Sequence, residues 1–111
     1  MILFPRAVRV YVATESVNMR RSFDGLMAEV RSVLALDPLS GHVFAFINRR
    51  RNRLKLLWWD GSGLILCTKR LEKSRFSWPR GEGKSTALRS EELMALMSGL
   101  EVREKRGWYR R

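Results

Sequence analysis

The sequence predicts an α+β domain in which an antiparallel β-meander of three to four strands packs with two helices. Three observations predict this class. Several short runs of alternating or continuous apolar residues are separated by polar turns of hairpin length. Two further stretches repeat their apolar residues at helical intervals. Finally, 111 residues, 45% of them hydrophobic, suffice for one core, and they contain no internal repeat or linker. Residues 1–111 therefore read as a single domain, with a basic and loosely held tail from about residue 103.

The elements follow in chain order. AVRVYVAT, Ala7 to Thr14, alternates and is rich in β-branched residues, which predicts a first strand. NMRRSFDGLMAEVRSVLAL then places Met19, Phe23, Leu26, Met27, Val30 and Leu34 on one helical face, with Asn18 as its N-cap. Gly25 costs such a helix about 1 kcal/mol relative to alanine, and its two readings are close packing against the sheet or plain tolerance. DPLSG, Asp37 to Gly41, has turn chemistry. HVFAFIN is a nearly continuous apolar run, the pattern of a strand buried on both faces. The turn RRRN, the strand RLKLLWWD, the turn GSG and the strand LILCTKR complete the meander. RLEKSRFSWPR is mixed, a helical turn and then an extended segment stopped by Pro79, GEGKS a loop, and TALR a short edge strand. SEELMALMSGL opens with Ser90 and two acids, which suit a helix N-terminus, and carries Leu93, Leu96, Met97 and Leu100 as its apolar stripe.

The charge narrows the function. There are 22 Lys and Arg against 11 Asp and Glu, a net +11, which draws a protein towards polyanions. The excess is local: from Arg49 to Lys84 eleven basic residues face three acidic ones, a net +8. Cys67 is the single cysteine, so no intramolecular disulfide forms, and a cytoplasmic setting is expected. The start MILFPRAVRV is too short and too soon interrupted for a signal segment, and no run reaches membrane-spanning length, so no membrane partner is expected.

Catalytic patterns are weak. GEGKST, Gly81 to Thr86, resembles the end of a phosphate-binding loop, but Trp78 stands where the loop's first glycine belongs, and Pro79 follows. One Cys and one His, His42, cannot supply a structural zinc set, and no base is tied to a nucleophile. A carboxylate nuclease using Asp24, Asp60 or Glu72 is the enzymatic alternative, although Asp60 suits a turn and Asp24 suits pairing with Arg20 one helical turn away. The reading is a non-enzyme without a cofactor.

The basic cluster therefore carries the functional expectation. Arg49, Arg50, Arg51 and Arg53 fall within five residues, Lys55 follows, and Lys69, Arg70, Lys73 and Arg75 come later, interleaved with Phe76 and Trp78. The bland reading is a solvated hairpin tip. The sharper one is a nucleic-acid surface, with cations for phosphates and rings on which bases stack. Of Trp58 and Trp59, adjacent on a strand, one is expected in the core and the other free to be exposed.

The order of the motifs adds a resemblance. MRRSFDGL, DPLSGHVFAFINRRRNRLKLLWWDGSGL and KRLEKSRFSWP resemble the TnpB-type accessory protein, often called Orf2, of a large family of bacterial insertion sequences, a resemblance that covers nearly the whole chain, including SEELMALMSGL near its end. This family is unrelated to the RNA-guided nuclease of the same name. The resemblance implies a non-catalytic role in DNA transposition beside a separately encoded transposase, with DNA and that transposase as partners. It carries over no catalytic residue. Ser74 stands where the family commonly has glycine, at a position read as a tight turn. The competing expectation is a protein-interaction module that docks its basic face on an acidic partner without touching DNA.

Overall fold

The structure, a computed structural model, describes residues 7–99. The expected Leu100 and the tail from about residue 103 lie outside the described residues. Seven elements follow one another: β1 (Arg9–Ala13), α1 (Phe23–Ser32), β2 (Val43–Ile47), β3 (Arg53–Trp59), β4 (Leu64–Arg70), β5 (Ser85–Arg89) and α2 (Ser90–Met97). No helix among the described residues is long and apolar enough to cross a membrane.

The class is α+β, but the sheet is larger than the predicted meander and is mixed. Its five strands run in the order β4-β3-β2-β1-β5. The meander β2-β3-β4 is present and antiparallel. The correction concerns β1, which pairs with β2 in parallel, Val10 opposite Val43 and Val12 opposite Ala45. Strand, helix and strand follow in that order, and a helix-length crossover is what lets consecutive strands lie parallel. β5 then closes the other side of β1 as an antiparallel edge. The continuous apolar run of β2 has its reason here: it is the middle strand, and all five of its residues are buried.

The two faces of the sheet hold separate halves of the core, because successive strand residues point to opposite sides. On one face Leu26 and Val30 of α1, with Leu34, pack with Phe44, Phe46 and Leu57. On the other, Leu93 and Leu96 of α2 join Phe76 and Trp78 over Val10, Val12, Ala45, Leu56 and Trp58. Removing each of these larger side chains from water contributes about 1.5–3 kcal/mol. Of the two tryptophans, Trp58 is the core residue and Trp59 is only partly buried.

Both helices are shorter than the apolar periodicity. Asn18 does not cap α1; its Oδ1 accepts the Arg20 N–H at 2.8 Å and closes a turn ahead of the helix, whose N-cap is Ser22. The helix ends where Ala35 turns left-handed (φ 57°) and the Leu36 N–H reaches back to the Val30 carbonyl at 3.0 Å. A Cβ at Gly25 would meet Arg21 side-chain atoms at 3.2 Å, so the constraint there comes from the preceding turn and not from the sheet. At α2 the cap is Arg89, whose N–H donates to Glu92 Oε1 at 2.8 Å, and Ser90 is the first helical residue.

Candidate nucleic-acid interface

The β2–β3 connection is built by asparagine. The Arg51 N–H donates to the Asn48 carbonyl at 3.0 Å, closing a four-residue turn with Arg49 and Arg50 at its apex. Asn48 Oδ1 accepts the N–H groups of Asn52 (3.1 Å) and Arg53 (3.0 Å), and its Nδ2 donates to Asn52 Oδ1 at 2.8 Å. This bracket leaves Arg51 left-handed, at φ 63°. The hydrogen bonds that shape the loop among the described residues come from asparagine and backbone, and Arg49, Arg50 and Arg51 are exposed at the end of the sheet.

The later basic residues reach the same place. In the β3–β4 register Arg53 lies opposite Arg70. The chain leaving β4 is then stitched to the tip: the Leu71 N–H donates to the Asn52 carbonyl at 2.8 Å, and the Phe76 N–H to the Arg51 carbonyl at 2.7 Å. Ser74, between these two bonds, has φ 66°, the left-handed conformation that a glycine adopts without strain. From the other side, the Val17 N–H donates to the Ile47 carbonyl at 2.9 Å and lays residues 17–19 along the hairpin base.

The result is a groove of about 540 Å³ lined by Arg49, Arg50, Arg53 and Arg70 together with Asn18, Asn48 and Asn52. Among the described residues, no carboxylate lines it. Among the described residues only Arg70 of these four arginines has an acidic partner, Glu72, at 3.0 Å, and both side chains are largely exposed. Like charges directly opposite on neighbouring strands repel, so Arg53 and Arg70 stand in an arrangement that the free protein pays for. A second pocket, of about 370 Å³, lies on the other side of the tip and is lined by Arg51, Arg80 and Lys84 with Glu15 and Glu82. Lys84 is held by Glu15 at 3.2 Å.

Several expected site residues have other work. Phe76 and Trp78 were expected to offer rings to bases, but they are 2% and 3% exposed, and the Trp78 Nε1–H donates to the Ala13 carbonyl at 2.8 Å. They belong to the core because the segment carrying them, between β4 at one edge of the sheet and β5 at the other, crosses the sheet face that α2 covers. Lys55 points to the α1 face, where its Nζ donates to the carbonyls of Met19 (2.8 Å) and Arg21 (2.7 Å). Lys69 points to the opposite face and donates to the Met97 carbonyl at 2.8 Å, where the end of α2 is electronegative. Both lysines fasten backbone. Lys73 and Arg75 are exposed but line neither pocket. Sequence reasoning missed the asparagines of the groove. Their signal was the pair of asparagines flanking the arginine run in NRRRN.

Among the described residues, the phosphate-loop motif and Asp60 are placed in structural roles. The loop GEGK leads into the strand β5, with Thr86 inside it, whereas a phosphate-binding loop opens a helix. Gly81 is there because a Cβ would lie 2.5 Å from Thr86 Oγ1. The loop presents carbonyls inward: Thr14 N–H and Oγ1–H donate to the Lys84 and Gly83 oxygens. Asp60 spends one carboxylate oxygen on Ser62 N–H, Gly63 N–H and the Ser62 hydroxyl, which closes the second hairpin turn and holds its carboxyl below the ordinary carboxylate value. Among the described residues, no three of His, Cys, Asp and Glu converge as metal ligands.

Comparison with known proteins agrees in extent with the resemblance carried by the motifs. Two proteins of Sinorhizobium fredii (strain NBRC 101917 / NGR234) are similar to the chain. The uncharacterized protein y4hO is 42% identical over 103 residues, covering 93% of this chain and 90% of its own. The uncharacterized protein y4jC is 42% identical over 96 residues, covering 86% and 82%. No solved structure matches the chain. The family described as IS66 Orf2 like protein matches residues 8–107, which hold the whole of the sheet, both helices and both basic pockets, and the chain therefore belongs to the IS66 Orf2-like family of insertion-sequence proteins.

Proposed function

We propose that this protein is a non-catalytic accessory protein of DNA transposition that binds DNA through the basic groove at the hairpin tip, and that it meets the element's transposase while doing so. Family membership supports the transposition-associated role. The observation that carries DNA binding is the four-arginine groove, which no carboxylate among the described residues lines. Guanidinium groups held around one groove repel one another, and a chain of phosphates is the ligand that relieves the repulsion. Because the expected stacking rings are buried, affinity comes from phosphate contacts. Binding is thus strongly salt-dependent and modest in sequence preference.

The test is a salt-dependent titration of duplex DNA with wild type and with the Arg49→Ala, Arg50→Ala, Arg51→Ala triple variant. Each neutralised phosphate contributes about −0.9 to the slope of log affinity against log salt, so the variant's slope becomes shallower by about 2–3. These side chains are exposed and the turn is closed by asparagine, so the fold survives, with changes within about 0.5 kcal/mol per site. An unchanged slope in a folded variant returns the tip to a solvated turn. Absence of DNA binding, with retention on an acidic protein surface, would favour the protein-docking alternative.

A further inference from the structure

We infer that the Asn48–Asn52 tip enters the minor groove of duplex DNA, with one phosphate backbone held in the four-arginine groove and the other beside Arg51 and Arg80. This rests on the DNA-binding reading and specifies which form of DNA is bound and how.

Three features point to it. The first is that the tip divides its own cations. Arg49, Arg50 and Arg53 line the groove on one side, while Arg51 lines the pocket on the other. A narrow loop with cations on both flanks suits a cleft walled by two phosphate strands, and the minor groove is such a cleft, about 6 Å wide and 7.5 Å deep. The two walls are unequal. Glu15 and Glu82 lie in the second pocket, and Lys84 there is paired with Glu15, so the first backbone meets more free cations than the second.

The second feature concerns what projects. A two-stranded ribbon in the major groove must present the side chains of both strands. Here β2 is the fully buried middle strand, and β3 is paired on both sides within the sheet. Of this hairpin, the part not paired within the sheet is the loop with Arg49 and Arg50 at its apex, and it can enter a groove. The narrow, electronegative minor groove of A·T-rich duplex attracts guanidinium groups. The third is the burial of Phe76 and Trp78, which takes away the two rings expected among the basic residues as stacking partners for single-stranded bases.

The experiment measures fluorescence anisotropy with three duplexes of equal length: a central A-tract, a central G·C block, and that block with every guanine replaced by inosine. Inosine removes the minor-groove amino group of guanine and leaves the major-groove edge unchanged, so it separates the two grooves. Minor-groove entry makes the A-tract and inosine duplexes bind about fivefold to tenfold tighter than the G·C duplex, the lower end of what one groove contact discriminates. Arg50→Ala brings that ratio close to one. Arg31→Ala, which removes an equal charge from an exposed site on α1, leaves it in place. Inosine behaving like guanine, or three equal affinities, overturns minor-groove entry while DNA binding stands. No binding to any duplex overturns both.

Discussion

Replacing Trp78 with phenylalanine separates a core ring from a base-stacking one. The indole is 3% exposed, packed with α2 and the sheet, and its Nε1–H satisfies the Ala13 carbonyl at 2.8 Å. Phenylalanine keeps an aromatic face, and with it any capacity to stack on a base. It loses the hydrogen bond, leaving a buried carbonyl without its partner at about 1–3 kcal/mol. It also leaves a small void where the second ring stood, at about 1 kcal/mol on the scale of partial core truncations. The sum is about 2–4 kcal/mol, a large part of the 5–15 kcal/mol typical of a domain. At about 4 °C per kcal/mol for a chain of this size, the melting temperature falls by about 8–16 °C. The assay pairs a thermal melt with a DNA titration well below the lowered transition. The expected result is a much lower melting temperature with affinity and salt slope unchanged. A melting temperature within about 3 °C of wild type, together with weaker DNA binding, would refute the assignment of Trp78 to the core.

Three further outcomes follow from the same geometry. Lys55→Met keeps most of the side-chain stem but releases the Met19 and Arg21 carbonyls, so urea titration shows a loss of about 1.5–3 kcal/mol while the salt slope of DNA binding stays at the wild-type value. Ser74→Gly removes a left-handed non-glycine residue from the link between β4 and the tip and raises stability by up to about 1 kcal/mol, read as a higher urea midpoint. Asp60 titrates below its unfolded-chain value, so the stability it contributes is present above that value and is lost as pH falls through the lower, folded one. Melting temperature followed from neutral pH down through that acid range therefore declines more steeply for wild type than for Asp60→Asn.

Local chemistry determined a good deal by itself. Periodicity separates strand from helix because side chains alternate across a strand and recur every three to four residues on a helix, so the meander and both helices were readable from their apolar spacing. The turns were readable too: Asp60 and the glycines around it, and NRRRN between two apolar runs, fix hairpins through contacts only a few residues apart. The placement of Arg49, Arg50 and Arg51 on an exposed tip follows from that alone. The tertiary structure decided what depends on strands meeting across long stretches of chain. Sequence spacing does not say that β1 lies parallel to β2, or that β5 returns to its far side, because pairing is set by which packing buries both faces of the sheet at once. That choice buries Phe76 and Trp78, whose alternation with basic residues looks the same on a surface as over a core. It also gives Lys55 and Lys69 carbonyl partners 36 and 28 residues away, so that two cations of the basic cluster hold the fold and the arginines are left to face outward.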